Sequence, residues 1–389
     1  EKNYSQALKL YEKILSYDED NIITLYYIGR LSAELKDYEK AKTYYDKVIT
    51  LKPNFEPALF DIGALYEMDG HFDKAVEYYQ KIIVFNPINK RARNKIASIY
   101  VQKKDYNRAI YEFEKLSDID RGDLSIRVKI GLLHLEERRY DEAIREFNLL
   151  LAASPQNNTI RIYLAIAWKE KGEPKKAIDE LLKVDPKSEE FLNAMRQLTF
   201  LYIKSGTVDE GIQKIEDYIK EKKDNADLYI LLAMLFEEKE QYAKGIEALE
   251  EARRVNRKNM EVIYQIGVLY EKKGDTDTAL KHMEEVLGID SEHANALNFI
   301  GYSWADKGIN LDKAEEMIKK ALSKRPEDGY IIDSIGWVYY KKGEYAKALA
   351  EILKAHQILP DDPVIAEHLG DIYTGLKEYN NALTYYKKA

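Results

Sequence analysis

The chain has 389 residues, 33% of them charged and 45% apolar, with a formal net charge of −8 at pH 7 and no cysteine. This balance excludes disulfide and thiol chemistry and provides no basic footprint for nucleic acid. No apolar run reaches the roughly 18 residues that would mark a membrane-spanning helix.

The first stretch, EKNYSQALKLYEKIL, carries apolar residues at helical spacing around Ala7 and reads as the second helix of a hairpin, so residues 1–21 form a partial repeat. From Ile22 onward one unit recurs in steps of about 34 residues. Its first helix holds a small residue, at Gly29, Gly63, Ala97, Gly131, Ala165, Thr199, Ala233, Gly267 and Gly301, then after one longer step at Gly336 and at Gly370. Its second helix holds Ala41, Ala75, Ala109, Ala143, Ala177, Gly211, Gly245, Ala279, Ala314, Ala348 and Ala382 in the same beat. The unit is clearest from Gly329 to Asp362. There Ile332, Ile335, Gly336 and Tyr339 form one helical face, Gly343 breaks the helix, and a second face from Tyr345 to Ala355 stops before Pro360.

Such a chain grows by adding units, each of which contacts mainly its neighbours. The expected fold is therefore all-α: an α-solenoid, a right-handed superhelix of about eleven helix-turn-helix repeats in a single domain over 1–389. Residues 22–191 form the N-terminal repeats, 192–259 a less regular middle and 260–389 the C-terminal repeats, the last one truncated. Pro186 comes early and shortens a second helix. Gly211 and Gly245 predict softer helices than alanine would give. The segment KGINLDKA holds the one inserted residue, in the turn before Ala314. Neither terminus carries a clear polar cap, which reads as a piece of a longer protein.

No catalytic constellation is visible. The histidines at 71, 134, 282, 293, 356 and 368 lack metal-ligand spacing, and neither a phosphate-binding loop nor a nucleophile elbow occurs. The chain is expected to be no enzyme and to need no cofactor. Stacked hairpins instead offer a concave face lined by first helices. On it Arg91, Asn94 and Lys95 read as a basic stretch suited to an acidic or carboxylate-bearing partner. In the last repeats Asn295, Asn298, Tyr302 and Asp306 share one face, Tyr330, Asp333, Trp337 and Tyr340 nearly repeat it, and Glu367, His368 and Asp371 extend it. Rings flanked by hydrogen-bonding groups suit an extended peptide, and the acids favour a neutral or basic one. Trp337 is the expected hot spot of this face, worth roughly 2 kcal/mol or more.

The 34-residue helix-turn-helix period resembles the tetratricopeptide repeat across the whole chain. That resemblance implies a scaffold or adaptor that binds a protein or peptide in its groove. Arg30, Ala64 and Ser98 stand where the chaperone-clamping subgroup would place asparagine, so this chain departs from that subgroup. From Ala294 to Ala389 the phrases ALNFIGYSWADKGINLDKAEEMIKKAL, DGYIIDSIGWVYYKKGEYAKAL and DDPVIAEHLGDIYTGLKEYNNAL resemble the C-terminal repeats of bacterial cell-envelope lipoproteins, among them a protease adaptor. This narrower resemblance implies a periplasmic or outer-membrane-associated location, with a protease or envelope-assembly partner; a cytoplasmic location is the alternative. The competing reading is a structural spacer or oligomerisation module, or the regulatory repeat region of a larger enzyme.

Overall fold

The computed structural model describes residues 2–389, which form 23 α-helices and no strand among the described residues. The chain is an all-α solenoid of about eleven helix-turn-helix units. It is divided into two compact parts, Glu1–Ala194 and Met195–Ala389. In the first part, first helices such as α2 (Ile22–Glu34), α4 (Glu56–Met68) and α6 (Lys90–Gln102) alternate with second helices such as α3 (Tyr38–Leu51), α5 (Phe72–Phe85) and α7 (Tyr106–Ile119). In the second part the same alternation runs from α16 (Met260–Lys272) and α17 (Thr276–Ile289) through α18 (Ala294–Asp306), α19 (Leu311–Lys324), α20 (Gly329–Lys341) and α21 (Tyr345–Ile358) to α22 (Pro363–Gly375) and α23 (Tyr379–Tyr386). The helix shortened by Pro186 is α11 (Pro174–Leu181), with 8 residues against 14 in most second helices. The flanking middle helices have ordinary lengths, so the irregularity lies in α11 and the turn after it.

The turn inside each unit is built by backbone geometry. After α20, Gly343 adopts φ 78°. Its N–H donates to the Tyr340 carbonyl at 2.8 Å, and the Glu344 N–H donates to the Tyr339 carbonyl at 2.9 Å. This pair of bonds satisfies carbonyls that the helix end would leave open. The same slot is left-handed in every unit, but Lys36, Lys104, Arg138, Glu240 and Lys377 occupy it as well as glycine. A side chain there costs about 1 kcal/mol, so the two capping bonds and the packing beyond them impose the turn. The residue inserted in KGINLDKA is absorbed here too, with Asn310 at φ 50° two residues after Gly308 at φ 67°.

The turn between units is built by side chains. Asn21, Asn89, Asn157 and Asn259 each accept a hydrogen bond from the backbone N–H three residues ahead, at 2.9–3.3 Å, and Asp328 and Asp362 cap α20 and α22 likewise. Each such cap stabilises its helix by about 1 kcal/mol. Phe55 is an exception; α4 starts without a side-chain cap and has a proline in its first turn.

The small residue of the first helix is explained by what lies on it. A Cβ at Gly29 would stand 2.7 Å from the Tyr45 ring, at Gly63 2.9 Å from Tyr79, at Gly131 2.6 Å from Phe147 and at Gly336 2.2 Å from Ile352. The glycines of the second-helix slot obey the same rule, because Tyr202 covers Gly211 and Leu269 covers Gly245. The core is consequently serial. Ile332 of α20, Ile352 and Ala355 of α21, and Ile365 and Leu369 of α22 form one such cluster.

Exposed ion pairs mark the register between units: Lys103 with Asp73, Lys171 with Asp141, Lys307 with Asp277 and Lys342 with Asp312. With aspartates this exposed, each adds at most about 1 kcal/mol. Lys319 and Lys342 together hold the better-covered Glu315 carboxyl down at about 2.

Two predictions follow from this packing. Gly336→Ala should lower stability by about 1–3 kcal/mol through overpacking. Gly288→Ala, where an added Cβ meets nothing within 4 Å, should raise it by about 0.5–1 kcal/mol. Thermal melts followed by helical ellipticity compare the two. The second concerns His134 and His282, whose Nδ1 atoms are buried without a hydrogen-bond partner. Burial, and then the neighbouring Arg139 and Arg253 respectively, push both imidazoles below their ordinary value. Below about pH 6.5 the unfolded chain therefore binds protons that the folded chain does not. Stability should fall as pH drops through that value, and His134→Tyr, which installs the residue found at Tyr66 and Tyr100 in the same slot, should reduce the fall in urea midpoint between pH 7.5 and 5.5.

Candidate functional site

First helices α18, α20 and α22 lie side by side, and between them opens a cleft of about 550 Å³. Asn295, Asn298, Tyr302, Tyr330 and Asp333 all line it, so five residues of the expected face converge on one cavity. Tyr330 stands 59% exposed at the rim. The Asn295 amide oxygen accepts from the Arg325 guanidinium at 3.0 Å. Asn298 Oδ1 is buried and has no hydrogen-bond partner. An amide oxygen shut away from water and left unpaired costs about 1–3 kcal/mol, so an incoming N–H donor would be favoured there.

Other members of the expected face form the wall behind the cleft. Trp337 is 6% exposed and is sandwiched between the His368 ring at 3.9 Å and the Tyr340 ring at 4.7 Å. Its indole N–H donates to Asp306 Oδ1 at 3.3 Å. Asp333 and His368 are buried together, with His368 Nδ1 3.0 Å from both carboxylate oxygens. An ionised Asp333 therefore keeps the imidazole proton on Nδ1. These three residues share the helix face expected for them, but they are packed between repeats rather than open to solvent. The reason is the neighbouring helix, since α22 brings His368 down onto the face that α20 presents.

At the edges, Glu367 is exposed and Asp371 accepts from the Tyr386 hydroxyl at 2.6 Å. Tyr302 is pushed up to about 12 by burial first and then by the charges of Asp306, Asp333, Glu367 and Glu271. Burial also raises Tyr340 and Tyr264.

Arg91, Asn94 and Lys95 belong to the other compact part and do not join this cleft. The Arg91 guanidinium lies 3.5 Å from the centre of the Phe60 ring, and Lys95 pairs with Glu67 at 3.0 Å. Glu67 also accepts from the Tyr79 hydroxyl. Much of this basic stretch is thus engaged within the fold.

Tyr264, Phe299, Val364 and Ile365 also line the cleft and were not singled out from the sequence. The repeat register contains the signal for two of them. Tyr264 stands one repeat before Asn298, and Val364 one repeat after Tyr330.

Among the described residues no group of three or more His, Asp or Glu side chains is placed to hold a metal ion, and no helix is long and apolar enough to cross a membrane. The Asp333–His368 pair has a structural role that can be measured. His368→Ala should destabilise the protein by about 3 kcal/mol or more in urea titration, because it leaves a buried carboxylate unpaired. Asp333→Asn combined with His368→Gln, which removes the charge and keeps both side chains polar, should lose less.

No curated protein sequence matches the chain. Among solved structures, that of Naa15/Naa10 bound to HypK-THB is similar with a TM-score of 0.54 at 14% identity, over 98% of this chain and 65% of that one. The chain thus spans a little under two thirds of that relative. The Cut9–Hcn1 hetero-tetramer of the APC/C gives 0.47 at 13% identity over 100% and 90%, and yeast Tom70 gives 0.42 at 16% identity over 95% and 91%. Profiles of the tetratricopeptide repeat match residues 24–55, 60–123, 134–199, 226–259, 261–293 and 366–389, well over half of the sequence. With this coverage and the helix-turn-helix period seen throughout, the chain belongs to the tetratricopeptide-repeat family.

Proposed function

We propose that the chain is a non-enzymatic scaffold that holds a partner protein, through an extended segment, along the first helices of its C-terminal repeats. The observation that carries this reading is the cleft between α18, α20 and α22, where exposed Tyr330 and the unpaired Asn298 oxygen border the same cavity. Its volume is in the range of cavities that enclose a few side chains. Asn298 offers both a donor and an acceptor to a peptide main chain, and the rings supply apolar area at low entropic cost. Because Trp337 is packed inside the wall, the groups a partner meets first are Tyr330, Asn298 and Tyr302.

A second reading has its own support. In the part Glu1–Ala194 the charges of the first helices are met internally, as Lys95 by Glu67 and Arg127 by Glu146. That suits a spacer, or a repeat region that positions another subunit. The similar fold in the structure of Naa15/Naa10 bound to HypK-THB, an assembly of several chains by its own description, supports a role of the latter kind. Compartment follows from the partner. The resemblance of residues 294–389 to cell-envelope repeats supports an envelope scaffold with a protease or assembly partner, and the alternative is cytoplasmic.

A photoreactive phenylalanine placed at Tyr330 tests the groove. It should form a covalent adduct with a defined protein, in envelope or cytoplasmic extract according to compartment, while the same residue at Lys319 on α19 should not. Adducts of equal yield at both positions, or at Lys319 alone, would contradict the groove reading and favour the spacer.

A further inference from the structure

We propose that the segment held in this cleft carries a lysine or arginine, its main chain meeting Asn298 and its cationic side chain running over Tyr302 toward Glu271 and Glu367. The inference rests on the scaffold reading above and narrows the partner to one with a basic, extended recognition segment.

Three observations point the same way. The cleft has an amide oxygen, Asn298 Oδ1, that is closed to water and unpartnered, which calls for an N–H donor in the occupant. Beside it, four carboxylates from four successive first helices bear on the Tyr302 hydroxyl: Glu271 of α16, Asp306 of α18, Asp333 of α20 and Glu367 of α22. Two of these are already engaged, Asp333 by His368 and Asp306 by the Trp337 indole and by Lys341. Glu271 and Glu367 are exposed and form no ion pair among the described residues.

The cations nearby do not offset them. Arg325 is held by Asn295 and Asp328, and Lys341 lies over the Trp337 ring at 4.8 Å. The cleft therefore joins apolar walls to an uncompensated negative rim. A lysine or arginine matches both, because its methylene stem packs on a ring while its head reaches carboxylates. An acidic segment would meet repulsion at the same rim and leave Asn298 no better satisfied than a basic one does.

The test uses the whole chain and end-blocked synthetic peptides of alanine and leucine that differ only at a central lysine, glutamine or glutamate, with binding read by fluorescence anisotropy. The lysine peptide should bind about tenfold more tightly than the glutamine peptide, as expected for two exposed carboxylates acting together. Added salt should reduce that ratio. Glu271→Gln with Glu367→Gln should abolish the lysine preference, and Glu284→Gln with Glu316→Gln, the same charge change on second helices α17 and α19, should leave it intact. Asn298→Leu should weaken all three peptides alike. Binding that depends on Asn298 but shows no lysine preference would overturn the basic-segment inference and leave the groove reading standing. A lysine preference equally sensitive to the α17 and α19 pair would also overturn it, as a general effect of net charge. Absence of any binding that depends on Asn298 would overturn both.

Discussion

Each hairpin depends on one close approach, a large side chain of the second helix lying flat on the backbone of the first where that helix has no room for a side chain. Tyr45 on Gly29, Tyr79 on Gly63, Phe147 on Gly131 and Ile352 on Gly336 are instances of the same contact. The contact sets how near the two helices come, and thereby where the first helix of the next unit can settle. Turns and caps then fix direction. A left-handed residue closes the turn inside the unit, and an asparagine or aspartate cap opens most of the units that follow. Since each cluster draws on adjacent helices, no single core holds the chain together.

This local economy explains how a binding surface arises from a packing motif. The residues one position to the side of the small-residue stripe are spared from the hairpin interface, so they are free to differ from unit to unit. In the repeats that contain Lys95 and Arg127 they have been used up in contacts with Glu67 and Glu146. In the last repeats they instead leave a cleft with an unpaired amide oxygen, a protruding tyrosine and two carboxylates without partners. The buried Trp337, His368 and Asp333 behind it keep α20 and α22 in register, which makes the cavity a fixed feature.

Much of the fold was legible because the constraints repeat. Gly29 to Gly370 and Ala41 to Ala382 mark the two helices of every unit, and the early Pro186 announced the short α11. The left-handed turn residue was hidden at Lys36, Arg138 and Glu240, since a residue that long and polar signals nothing about φ by itself. The site was legible by face but not by depth. Helical spacing places Asp333 and Trp337 together, yet whether they meet solvent depends on how closely α22 packs. Likewise the sequence shows Lys95 as a cation but not that Glu67, on another helix, lies 3.0 Å away.

The close approach on which the structure depends can be tested by a double-mutant cycle at Gly63 and Tyr79. The nearest atoms to an added Cβ at Gly63 all belong to the Tyr79 ring. In the native background Gly63→Ala should destabilise the protein by about 1–3 kcal/mol, whereas with Tyr79→Ala already in place the same change should be neutral or slightly stabilising. A coupling of about 1 kcal/mol or more in urea denaturation is the predicted result. Strictly additive effects would show that ring and glycine do not constrain one another, and would contradict the account.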